Sequence, residues 1–172
     1  MAGSLVLIQE TTVSSPVSSV SLIGTNSSEF DVYFVQVIGV EMSSQVDMTI
    51  RFTVSGTADS SSNYDYGYLD IRSANTYAEV ASANDTLFRH NAIGTDTSET
   101  SNGTLYLFNF NNSSEFSFYT LEETMLSSVP EARGRQGGGA LTVAQATDGV
   151  VFLLEASANF TAGSFRLYGL RK

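Results

Sequence analysis

Cysteine is absent from this 172-residue chain. That excludes disulfides, thiolate metal sites and a cysteine nucleophile. Histidine occurs once, as His90 in Phe88-Arg89-His90-Asn91. A metal would need further ligands that neither histidine nor cysteine can supply, and catalysis would need a base or nucleophile beside the ring, so His90 reads as a structural or loop residue. Lysine also occurs once, at Lys172, beside seven arginines. Charged residues make up only 15% of the chain, and the formal net charge is −10. A chain this acidic repels phosphate backbones, so no nucleic-acid partner is expected. The acidity reads as solubility, or as an outer surface facing salty water or a basic partner. No stretch approaches the ~20 apolar residues of a membrane span, so no membrane partner is expected either. The first apolar run, Leu5–Ile8, is four residues long without a basic flank. It is too short for a secretory signal, and the expectation is synthesis in a cytoplasm without export by the standard route.

What the chain does contain is Ser, Thr, Asn and Gly between short apolar runs, the composition of strands and tight turns. Val46, Met48, Ile50, Phe52 and Val54 alternate with Asp47, Thr49, Arg51 and Thr53. Every position obeys period 2, which no helix would keep on one face. Phe30–Val40 is apolar on both faces, with Phe30, Val32, Phe34 and Ile38 on one side and Tyr33, Val35 and Val37 on the other, so a central strand is expected. Thr104–Phe110 and Glu115–Leu121 are joined by Asn111-Asn112-Ser113-Ser114, a hairpin signal. Thr147-Asp148-Gly149 marks a tight turn before Val150–Leu154, and Ser164–Leu170 alternates again. Residues 73–83 are the one place where a short helix is expected, ended by Asn84 and Asp85. Residues 122–139, with Pro130 and three consecutive glycines, read as a long loop. Roughly eight to ten strands follow from these runs, with no internal repeat. The fold class is all-β: one domain over 1–172, a two-sheet β-sandwich of jelly-roll type.

The search for chemistry returns little. Asp59, Asp65 and Asp70 lack the order of a calcium loop. Glu122 and Glu123 are adjacent and face opposite sides of a strand, a poor pair for glycoside hydrolysis. Arg133-Gly134-Arg135-Gln136-Gly137-Gly138-Gly139 lacks the Gly-Lys-Ser/Thr ending of a phosphate loop. Arg133 and Arg135 instead read as loop contacts to an acidic neighbouring subunit. Tyr64, Tyr66 and Tyr68 recur at every second residue. Exposed, they form a row that stacks on sugar rings; otherwise a sandwich face or a subunit interface buries them. No catalytic residue, metal ligand or cofactor site is expected.

Several stretches resemble small structural proteins of tailed bacteriophages, marine ones in particular. They are Ser4–Gln9 with Val17–Leu22, Phe30-Asp31-Val32-Tyr33 with Ile50-Arg51-Phe52, Asn111–Phe116, and the ending Gly163–Leu170. The resemblance implies a virion component with a jelly-roll-like sandwich, assembled in the host cytoplasm. Capsid decoration (cement) proteins belong to that group, and the reading it gives is a homotrimer that clamps the major capsid protein and other virion proteins. A tail or fibre module touching the host surface and a carbohydrate-binding sandwich are the alternatives.

Overall fold

In the computed structural model, residues 4–25, 28–96, 98–127 and 131–171 are described; Pro130 and Lys172 lie outside them. The described residues form thirteen strands. They are β1 (Leu5–Val13), β2 (Ser19–Ile23), β3 (Phe30–Met42), β4 (Asp47–Val54), β5 (Thr57–Ala58), β6 (Tyr64–Arg72) and β7 (Thr76–Asp85), followed by β8 (Phe88–Ala92), β9 (Ser101–Phe108), β10 (Ser117–Leu126), β11 (Ala132–Leu141), β12 (Gly149–Leu154) and β13 (Phe160–Arg171). There is no helix among the described residues, and so none long and apolar enough to cross a membrane.

The strands make two antiparallel sheets, as expected of an all-β sandwich. The large one runs β1-β13-β3-β9-β10-β11-β6-β7, and the small one β2-β12-β4-β5, with β8 also paired to β4, along the edge away from β12. The inner faces meet in one core. From the small sheet come Leu22, Ile50, Phe52 and Phe152; from the large one Val35, Leu105, Leu107, Tyr119 and Phe165, each at most 2% exposed. In β3 the face carrying Tyr33, Val35 and Val37 is buried, and the strand is central, between β13 and β9. In β4, Met48, Ile50 and Phe52 point inward as the alternation requires. Two threonines on the opposite face of β4 are nevertheless covered: Thr49 donates to the Leu153 carbonyl, and Thr53 to the Asp148 carboxylate at 2.6 Å. That carboxylate also accepts the Gly56 N–H at 2.7 Å. The turn before β12 is thereby fixed to the end of β4.

Two expectations are corrected. Residues 73–83 do not form a helix. Asn75 sits at φ 59° and turns the chain, and β7 then pairs with β6 from Arg72↔Thr76 to Tyr64↔Asp85. The helix preference of Ala and Glu gives way to the hydrogen bonds that an open sheet edge offers. Residues 122–139 are not one long loop either. β10 runs on to Leu126, and β11 carries both arginines and all three glycines between β10 and β6. The glycines serve close packing: a Cβ at Gly139 would stand 2.7 Å from Phe88 Cε1 and 3.0 Å from Tyr119 Cε1. With β7, β11 and the two-residue β5 added, the strand number rises above the eight to ten read from the runs.

Candidate functional site

The sandwich interior holds a polar cluster between β6, β8, β9, β10 and β11. Asp70, His90, Ser101, Glu123 and Arg135 all lie on inner faces and are 0–6% exposed. Arg135 donates Nε to Asp70 Oδ1 at 2.6 Å and Nη2 to Oδ2 at 3.1 Å, and its Nη1 to the Arg89 carbonyl at 3.0 Å. Its guanidinium also lies 5.1 Å from the centre of the Tyr68 ring. Burial works against the charge on Arg135, but the Asp70 carboxylate and the nearby Glu123 outweigh it, and its pKa is raised on balance. The Tyr68 and Tyr119 hydroxyls share a hydrogen bond. Burial pushes both phenols well above the usual tyrosine range.

Ser101, His90 and Glu123 are the residue types of a hydrolytic triad, but their arrangement is different. The Ser101 hydroxyl donates to Glu123 Oε1 at 2.9 Å, so the serine faces the acid and not the imidazole. His90 Nδ1 lies 3.5 Å from Glu123 Oε2, without hydrogen-bond geometry, and neither ring nitrogen has a protein partner. The ring is held instead against Tyr119, stacked at 6.3 Å. A nucleophile needs the base within hydrogen-bond reach and a path for substrate, and this enclosed set offers neither. Asp59, Asp65 and Asp70 are dispersed: Asp59 caps the Ser61 N–H, Asp65 the Asn84 N–H, and Asp70 holds Arg135. Among the described residues no three acidic or histidine groups converge as metal ligands would.

The five residues read from the sequence as interface contacts are thus placed differently. Tyr64, Tyr66, Tyr68 and Arg135 are core residues, none more than 8% exposed, with no surface left for a partner. The β6 pleat aims every second side chain into the sandwich, and the tyrosine row follows that face. Of the two burials considered for the row, it is the sandwich face that the structure has. Arg133 is half-buried and pairs with Glu131 at 2.9 Å on the same strand end.

The exposed chemistry lies on the outer face of the large sheet, which sequence reasoning missed. Phe34, Tyr106 and Tyr168 are neighbours in one cross-strand row, with Phe34 5.1 Å from Tyr106 and 6.0 Å from Tyr168. Leu7 extends the row on β1. On the other side of β9 the same row continues through Thr120, Gly138, Gly67 and Ala81. One half of the row is therefore bulky and the other nearly bare. The next row repeats part of the pattern, with Val32, Phe108 and Phe118 followed by Ala140. Tyr106 is 45% exposed, Phe118 41%, Leu7 50% and Leu170 38%. Over the bare half lies an open hollow of about 480 Å³ floored by Gly67, Gly138 and Ala140 and walled by Phe118. The available signal was Phe118, an aromatic on the polar side of an otherwise clean alternation with Thr120, Glu122 and Thr124.

No family model matches the chain, and neither does any curated protein or solved structure.

Proposed function

We propose that this chain is a non-enzymatic structural protein of a tailed-phage virion, a capsid decoration (cement) protein whose working surface is the outer face of the large sheet. One observation carries the reading. The one polar cluster with the residue types of a catalytic set, Asp70, His90, Ser101, Glu123 and Arg135, is enclosed in the sandwich, whereas Leu7, Tyr106, Phe118 and Leu170 are gathered on one exposed sheet face. An exposed apolar patch of that kind marks an interaction surface. The phage assignment is supported by the strand and turn stretches that resemble such proteins, with the jelly-roll-like sandwich they imply. The major capsid protein is the partner it names, and the virion, assembled in the host cytoplasm, is the location. The work done is burial of interface area.

A second reading, a carbohydrate-binding sandwich, has its own observation. Tyr106 stands beside Thr104, Thr120, Glu122 and Gln136 around a depression of about 360 Å³. An aromatic ring with nearby hydroxyls and amides can stack on and hydrogen-bond a sugar.

Cryo-electron microscopy of purified particles tests the first reading. Density for this chain repeated over the icosahedral shell is the expected result. Density confined to the tail would replace it with the tail or fibre alternative. A chain absent from particles that binds glycans on a screen would establish the carbohydrate reading.

A further inference from the structure

We infer that the outer face of the large sheet is closed by a second copy of this chain, packed face to face about a two-fold axis that runs along the strands between β9 and β10. The inference rests on the preceding reading that this face is the one covered on assembly, and it names a second copy as the occupant, so that the pair meets the capsid protein through its other surfaces.

The argument comes from register. The eight strands divide evenly, with β1, β13, β3 and β9 on one side and β10, β11, β6 and β7 on the other. A two-fold axis parallel to the strands at that midpoint reverses strand order and keeps each cross-strand row opposite itself. Tyr168 then faces Gly67 of the second copy, Phe34 faces Gly138, and Tyr106 faces Thr120. In the next row Val32 faces Ala140. In these pairs a large side chain meets a small one, and at the centre of the second row Phe108 meets Phe118, ring against ring; each contact occurs twice, since in an isologous interface residue i meets j and j meets i.

The polar row between them also matches. Gln36, Thr104, Glu122 and Gln136 lie side by side on neighbouring strands. Under the same rotation Gln36 faces Gln136, an amide opposite an amide, and Thr104 faces Glu122, a hydroxyl donor opposite a carboxylate.

The area is sufficient. Sheet twist confines close contact to the central strands. Six strands at ~4.8 Å by four rows at ~6.8 Å give on the order of 800 Å² per copy, which is about the ~800 Å² per partner of a standard interface. This pairing takes the place of the trimer expected from the sequence.

The test is sedimentation of the full chain across concentration, in salt of about 0.5 M to screen the acidic copies from one another. The expected result is a two-chain mass at about 100 µM, since interfaces of this size bind at micromolar Kd or tighter. Gly67→Arg fills the hollow. A Cβ at Gly67 meets nothing within 4 Å, so the fold tolerates it. It is expected to weaken pairing at least ~10-fold with unchanged far-UV circular dichroism and Tm. Thr120→Arg, an exposed position on the same face, gives a second reading of the same surface, and Ser19→Arg, exposed on the small sheet, leaves pairing intact. A single-chain mass at about 100 µM would overturn the pairing. A three-chain mass would overturn it too, as would a dimer that Gly67→Arg and Thr120→Arg leave as tight as before. A monomer that still decorates particles would sink the pairing alone. A dimer absent from particles would sink the virion reading alone.

Discussion

Asp70 and Arg135 form the most consequential pair in the molecule. Both are enclosed, and the bidentate geometry satisfies the guanidinium where water cannot. Removing one partner strands the other charge in the core, which costs about 3–5 kcal/mol. Asp70→Ala is expected to lower chemical-denaturation stability by that amount, with Asp70→Asn intermediate. The buried phenols set the alkaline limit of the fold. Tyr64, Tyr68 and Tyr119 have folded pKa values above the ordinary tyrosine value, chiefly through burial. The unfolded chain therefore loses these protons first. Stability is full below about pH 10 and falls as pH rises from there toward the folded values. Absorbance at 295 nm during alkaline titration is expected to show a delayed tyrosinate step coincident with loss of the β-sheet circular dichroism signal. The arginines also show where residue types mislead: Arg135 next to a glycine run reads as a mobile contact, and only the register of β11 against β6 places it opposite Asp70.

At the level of elements, β11 holds the fold's main surprise. Its glycines let β6 and β10 approach while the rings of Phe88 and Tyr119 lie across the strand. Gly139→Ala is expected to destabilise by about 1–3 kcal/mol, the range for overpacking. Gly67→Ala, on the open outer face, is expected to stay within about 0.5 kcal/mol of the parent. Paired thermal melts of the two variants check this. The same strand shows how far the sequence could be read. β3, β4, the β9–β10 hairpin and β13 were legible because their alternation is carried by large apolar residues whose period-2 pattern survives any context. β11 was not, since glycine has no side chain to alternate. β7 was not, since Ala, Glu and Ser carry little pattern and the edge of β6 decides their conformation. The outer aromatic face was only partly visible: Phe34, Phe108 and Phe118 could be assigned to one face only once the neighbouring strand order was known.

Across the whole molecule, the formal charge of −10 opposes any association of like copies, and the outer face adds Glu122 close to the axis of the pair, with the Glu10–Arg166 ion pair toward its edge. Salt therefore screens the repulsion between the acidic copies, Glu122 included. Pairing is expected to tighten as ionic strength rises from about 0.05 to 0.5 M, the reverse of an interface built on opposite charges. Sedimentation at the two salt concentrations reads this directly. The sandwich thus divides its polar groups and its apolar surface in an unusual way, with the Asp70–Arg135 ion pair enclosed between the sheets and the rings of Tyr106 and Phe118 left outside. An assembly that covers those rings accounts for the second half of that division. The most direct measurement is hydroxyl-radical footprinting of the chain, dilute and in the assembled particle. The account predicts a severalfold drop in modification at Tyr106, Phe118 and Tyr168 on assembly, with Ile23 and Leu153 on the small sheet unchanged. Equal modification of the three aromatics in both states would contradict it.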